Sequence, residues 1–171
     1  MENCKQLSQL LDHLKIENWD ILLIGDGSGA SWGPCGWGCL SIERKDFSRT
    51  MWYGSMNHGT VNVAEYMAYI QPLIYYASRK YDNFQHVHII TDSQVVAAAS
   101  TTYICGKFLS DFLAKGFIVK THWLERSTLE ANKLADMVSK YARADIKNAK
   151  YDQTAITLLG KQTAYEIEPT T

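Results

Sequence analysis

No apolar run among these 171 residues is long enough to cross a bilayer, and no leader-type apolar stretch opens the chain. A membrane role is therefore not expected. Nor is there an excess of either charge: 17 Lys and Arg face 18 Asp and Glu, for a formal net charge of -1. Any nucleic-acid contact must then rest on a local patch, with modest affinity and strong salt dependence. The four cysteines, Cys4, Cys35, Cys39 and Cys105, follow neither a zinc spacing nor a disulfide framework. Reduced thiols and a cytoplasmic location are expected. Repeats and linkers are missing too, and the length suits one domain whose core needs no staples.

What the chain does have is four separated acids, each in an ordered context. Asp26 stands in ILLIGDGSG, Glu65 in TVNVAEYMAYI, Asp92 in HIITDSQVV and Asp136 in ANKLADMVSK. Taken singly, Asp26 could be a turn residue and Asp92 a helix cap, both common roles for aspartate. Glu65 and Asp136 sit among apolar neighbours, where an unpaired carboxylate is costly. If a fold gathers the four, their mutual repulsion raises their pKa values unless cations neutralise them. Mg²⁺ takes a few carboxylates and completes its shell with water and phosphate oxygens, which points to phosphoryl chemistry.

The periodicity supplies the elements that carry these acids. Leu7, Leu10, Leu11 and Leu14 predict an amphipathic helix over residues 4–15. The apolar run 21–24, stopped by Gly25-Asp26-Gly27, reads as a buried central strand, and 36–42 and 47–54 as a hairpin joined at 43–46. A long helix follows over 62–80, with Pro72 expected to kink or break it. Residues 87–90 form a short strand and Thr91-Asp92-Ser93 starts a helix over 95–99. A short helix over 108–114, a strand over 117–124 and a helix over 131–142 complete the pattern. The segment 145–171 has little pattern and reads as an appended strand or an arm. The order predicts a mixed sheet with helices on both faces and right-handed crossovers to the later strands. Asp26 and Asp92 then fall at the carboxyl ends of central strands, where α/β sheets place their sites.

At these residues the sequence resembles ribonuclease H of type 1, and more broadly the ribonuclease H-like superfamily. Asp26-Gly27-Ser28-Gly29 with Gly36-Trp37-Gly38 is similar to the family's DGS turn and glycine-aromatic-glycine second strand. Thr60-Val61-Asn62-Val63-Ala64-Glu65 is similar to its T-N-N-x-x-E segment, Thr91-Asp92-Ser93-Gln94 to its T-D-S-Q, and Asn132 to Asp136 to its N-x-x-x-D. The resemblance implies a five-stranded mixed sheet, the first three strands antiparallel and the last two parallel to the first. It divides the chain into an N-terminal helical extension (1–18), a catalytic domain (19–145) and a C-terminal tail (146–171).

The activity implied is cleavage of the RNA strand of RNA–DNA hybrids with two Mg²⁺ ions, Mn²⁺ being the natural substitute. Asp26 would bridge both ions, with Glu65 and Asp92 on one and Asp136 on the other. Gly27, Ser28, Thr60, Asn62, Gln94 and Asn132 match positions that contact substrate, with Asn62 alternatively a helix cap. A departure is the loop 125–130, which lacks the family's histidine and offers Arg126 as a substitute cation. No basic protrusion is present either, so Lys107, Lys115 and Lys120, or a replication partner protein, would carry affinity. His58, His86 and His88 read as loop, packing or surface groups. The enzyme is expected to act as a monomer. Two rivals share the fold: a Holliday-junction resolvase or exonuclease, and a catalytically weak nucleic-acid-binding module.

Overall fold

A computed structural model describes residues 2–29, 32–79, 84–98, 116–125, 130–146 and 163–170. Helix α1 (Glu2–His13) leads into strand β1 (Ile21–Ser28), then β2 (Gly33–Glu43) and β3 (Arg49–Gly59). Helix α2 (Val61–Ser78), strand β4 (His86–Thr91), helix α3 (Gln94–Ala98), strand β5 (Ile118–Trp123), helix α4 (Glu130–Ile146) and strand β6 (Thr163–Thr170) follow. The sheet order is β5-β4-β1-β2-β3-β6. β1, β2 and β3 pair antiparallel, while β4 runs parallel to β1 and β5 parallel to β4. The five expected strands are thus present in the expected directions.

A sixth strand extends them. Residues 163–170 pair parallel to β3, whose outer backbone groups would otherwise form an open edge. The predicted helix over 108–114 and the residues Lys107, Lys115 and Arg126 lie outside the described residues.

Two cores sandwich the sheet. On one face Ile21 and Leu23 of β1 pack with Trp37, Trp52 and the α2 residues Ala64, Ala68, Tyr69 and Leu73. On the other, Leu22 and Ile24 pack with Leu40, Ile42, Val138 of α4 and Leu7 and Leu10 of α1. β1 is therefore buried on both sides, which is why its sequence is a continuous apolar run. α2 continues through Pro72, which it buries, and the expected break does not occur.

Glycines set how closely the helices approach. A Cβ at Gly27 would lie 2.5 Å from the Glu65 backbone nitrogen, so only glycine lets the start of α2 rest there. On the opposite face a Cβ at Gly36 would lie 2.5 Å from the Ser139 carbonyl oxygen of α4. Absent side chains on β1 and β2 thus bring down onto the sheet the two helices that carry Glu65 and Asp136.

Candidate active site

Strand register places the first two acids. Gly25 pairs with Thr91 between parallel β1 and β4, so Asp26 and Asp92 follow as neighbours where the strands end. Ser93, rather than Asp92, caps α3: its Oγ accepts from the Val96 N–H at 3.2 Å. The Asp92 carboxylate is left to the cluster. On α2 the cap is Thr60, whose Oγ1 accepts from the Val63 N–H at 3.3 Å. Asn62 is therefore not the cap, as the alternative reading had it; it stands exposed in the first turn. The early cap puts Glu65 on the second turn, above Gly27.

The outcome is that carboxylate oxygens of Asp26, Glu65 and Asp92 all lie within 4.8 Å of one another. Asp26 and Glu65 are buried, and Asp26 Oδ1 accepts from the Gly27 N–H at 2.9 Å. Burial, then the Asp92 charge, pushes Asp26 up to about 7. Burial and the Asp26 charge push Glu65 up to about 9. The hydrogen bond between these two lowers Asp26 and raises Glu65, so the pair titrates as a unit and shares a proton. Asp136 adjoins Asp26 and raises it further. It lies outside the three-acid group, half-buried, with its Oδ2 2.8 Å from Lys140 Nζ. The Lys140 side chain is 66% exposed.

These residues fit a hard divalent cation. Glu65 Oε2 is buried with no hydrogen-bond partner among the described residues, an acceptor left for something outside the protein. All the donors are carboxylates, the ligand set of Mg²⁺ and Mn²⁺ rather than of softer metals.

Two supporting residues carried no sequence signal beyond a core aromatic. Tyr69, four residues after Glu65, accepts from the Gly25 N–H at 3.2 Å. Its hydroxyl also lies 3.0 Å from Gly25 O and 2.9 Å from Ile90 O, locking β1 to β4 beneath the acids. Trp123 at the end of β5 donates from Nε1 to the Asp92 carbonyl at 3.2 Å.

Among the expected substrate contacts, Gly27 and Ser28 are buried under the cluster and Gln94 stands exposed. The Asn132 side chain and Arg126 lie outside the described residues. His58 is not in a loop: it belongs to β3 and stacks with Trp32.

Neither protein-family models nor curated proteins match this sequence. Solved structures do match. The N-terminal RNase H domain of a Mycobacterium tuberculosis protein is 20% identical, with a TM-score of 0.57, covering 77% of this chain and 98% of that one. RNase H1 from the archaeon Halobacterium salinarum is 22% identical at a TM-score of 0.56, covering 73% and 98%. LC11-RNase H1, a compost-derived enzyme solved in complex with an RNA/DNA hybrid, is 17% identical at a TM-score of 0.55, covering 74% and 99%. The chain has the ribonuclease H-like fold. Nearly the whole of each of these proteins is matched within it, with about a quarter of this chain left over.

Proposed function

We propose that the chain is an endoribonuclease that hydrolyses the RNA strand of RNA–DNA hybrids. The observation that carries the reading is the convergence of three carboxylates from β1, α2 and the end of β4 within 4.8 Å, with Asp136 alongside. Support for the substrate comes from LC11-RNase H1, whose structure contains such a hybrid.

In this reading Asp26, Glu65, Asp92 and Asp136 are the catalytic, metal-holding residues. Two Mg²⁺ ions, or Mn²⁺ in their place, supply charge neutralisation for an in-line attack by water on the scissile phosphate. The protein's own work is positioning. Gly27 lets Glu65 descend, Tyr69 fixes the spacing of β1 and β4, and the Asp26–Glu65 pair gives up its shared proton when the cluster is neutralised. Exposed Asn62 and Gln94 read the ribose edge in the minor groove, backbone groups of Gly27 and Ser28 receive a ribose hydroxyl, Thr60 grips a phosphate of the DNA strand, and Asn132 adds a further substrate contact. Arg126 would serve as the substitute cation for a phosphate. Products carry 3′-hydroxyl and 5′-phosphate ends, and the enzyme works as a monomer in the cytoplasm.

The test is cleavage of a strand-labelled hybrid with and without Mg²⁺, beside duplex DNA, duplex RNA and a four-way junction. Cutting confined to the RNA strand of the hybrid, and lost on chelation, is expected. Selective cutting of the junction would transfer the chain to the resolvases, and no cleavage of any substrate in Mg²⁺ or Mn²⁺ would leave only a binding module.

A further inference from the structure

Eight large apolar side chains stand exposed among the described residues, and single exposed apolar groups need no explanation. Their distribution does. Five of the eight, Trp32, Val61, Val63, Val95 and Trp123, belong to the end of the sheet where the acids converge. Trp32 immediately precedes β2, whose start pairs with Ser28 and with the end of β3. Val61 and Val63 open α2, Val95 opens α3 and Trp123 closes β5. Of the described cations, Arg44, Lys45, Arg49 and Arg79 belong to the opposite end, around the β2–β3 connection and the close of α2, while Lys120 lies on β5 and Lys133 and Lys140 on α4, with Lys140 paired to Asp136.

The two tryptophans are held in different ways. Trp32, 71% exposed, stacks on His58 with ring centroids 6.4 Å apart and planes 15° apart, so one indole face is supported and the other is open. Trp123, 46% exposed, is anchored by its N–H on the Asp92 carbonyl. β5 and β2 lie three strand spacings apart, about 14 Å, with the acid-bearing strands β4 and β1 between them. A protein partner seated across both would bury the acids without compensation. A nucleic acid would bring phosphates and their cations to the acids and its sugar faces to the indoles.

We propose that Trp32, backed by His58, and Trp123 are apolar contact walls on either side of the acidic cluster. They pack against the sugar faces of the hybrid's two backbones, so that substrate affinity rests on aromatic packing as well as on phosphate charge. The inference rests on the hybrid-nuclease reading above. It alters the expectation of a purely electrostatic grip: salt dependence is shallower than a lysine-lined groove would give.

The experiment measures steady-state hybrid cleavage by the full chain and its Trp32→Ala and Trp32→Phe variants across a range of KCl. Because Trp32 is exposed, the melting temperature should not move. Trp32→Ala should raise KM about tenfold at every salt concentration, and Trp32→Phe should restore most of it. Hybrid should quench tryptophan emission in the parent chain and less so in Trp32→Phe. An unchanged KM in Trp32→Ala, with the parent chain cleaving normally, overturns the contact and spares the nuclease. Failure of the parent chain to cleave or bind hybrid overturns the nuclease reading itself, and this inference with it.

Discussion

Two buried glutamates stand at opposite ends of the same sheet, and their surroundings differ in kind. Glu43, 6% exposed at the end of β2, lies 3.1 Å from Arg79 Nη1 and 3.8 Å from Lys45 Nζ. Arg79 lies in turn over the rings of Tyr75 and Phe84, so its charge is spread between a carboxylate and two aromatic faces. Glu65, 4% exposed, meets Asp26 and Asp92 instead of a cation, and one of its oxygens has no hydrogen-bond partner among the described residues. A carboxylate that the fold neutralises serves stability. One that the fold leaves for an outside cation costs stability and is retained for chemistry.

Breaking each site in turn should separate these roles. The largest effect is on catalysis. Asp26→Asn and Asp92→Asn should each lower hybrid cleavage by about a thousandfold or more, since each removes charge that holds the cation. Glu43→Gln should leave kcat/KM within about twofold. Folding should respond in the opposite sense. Arg79→Ala, which leaves Glu43 buried without its nearest cation, should cost about 3 kcal/mol in urea unfolding. Glu65→Gln, which removes a repelled acid, should raise stability without metal by about 1 kcal/mol. A destabilised Glu65→Gln would mean that the acid cluster is structural after all.

The comparison sharpens with pH. Asp26 is raised to about 7 and Glu65 to about 9, both above the ordinary carboxylate range. Between about pH 4 and 9 the folded chain therefore holds more protons than the unfolded chain, and stability falls as pH rises through that window. A divalent cation binds the ionised acids and competes with the protons. Mg²⁺ or Mn²⁺ should accordingly raise the melting temperature by several degrees at pH 8 and by about 1 °C or less at pH 5. Equal shifts at both pH values would show that the ion binds elsewhere.

Much of this was legible in the residues, for reasons that differ by element. β1 was readable because burial on both faces demands a continuous apolar run. The acids were readable because Asp26 and Asp92 close such runs while Glu65 and Asp136 interrupt helical patterns. The contacts below the acids were not. Tyr69 looks like any core tyrosine until three backbone atoms of β1 and β4 are found around its hydroxyl. The Thr60 cap competed with Asn62, and only geometry separates two good capping residues two positions apart. The segment of β6 reads equally as strand or arm because its partner among the described residues, β3, lies over a hundred residues earlier, a distance that local pattern does not register. The roles of Gly27 and Gly36 likewise depend on which helix arrives above them.

A third buried polar site gives the smallest expected effect and the cleanest control. His88 Nε2 lies 2.8 Å from the Asn18 carbonyl, which can only accept, so Nε2 carries the proton. His88 Nδ1 then accepts from His122 Nε2 at 2.8 Å, which leaves His88 neutral. Burial lowers the pKa of each, for His88 against the Asn18 hydrogen bond and Asp20 and with help from Lys120 and His86, and for His122 with help from His88 and Lys120. The folded chain thus binds fewer protons here than the unfolded chain, so this contribution is present above the ordinary histidine range and is lost as pH falls below about 6.5. The acid cluster has the reverse sign. Replacing His122 by Phe should flatten the loss of melting temperature between pH 7 and 5 by about 2 °C, leaving the Mg²⁺ response at pH 8 intact. If His122→Phe abolished that response, the histidine pair and the acids would form one coupled system, and the contrast between a satisfied and an unsatisfied buried site would fail.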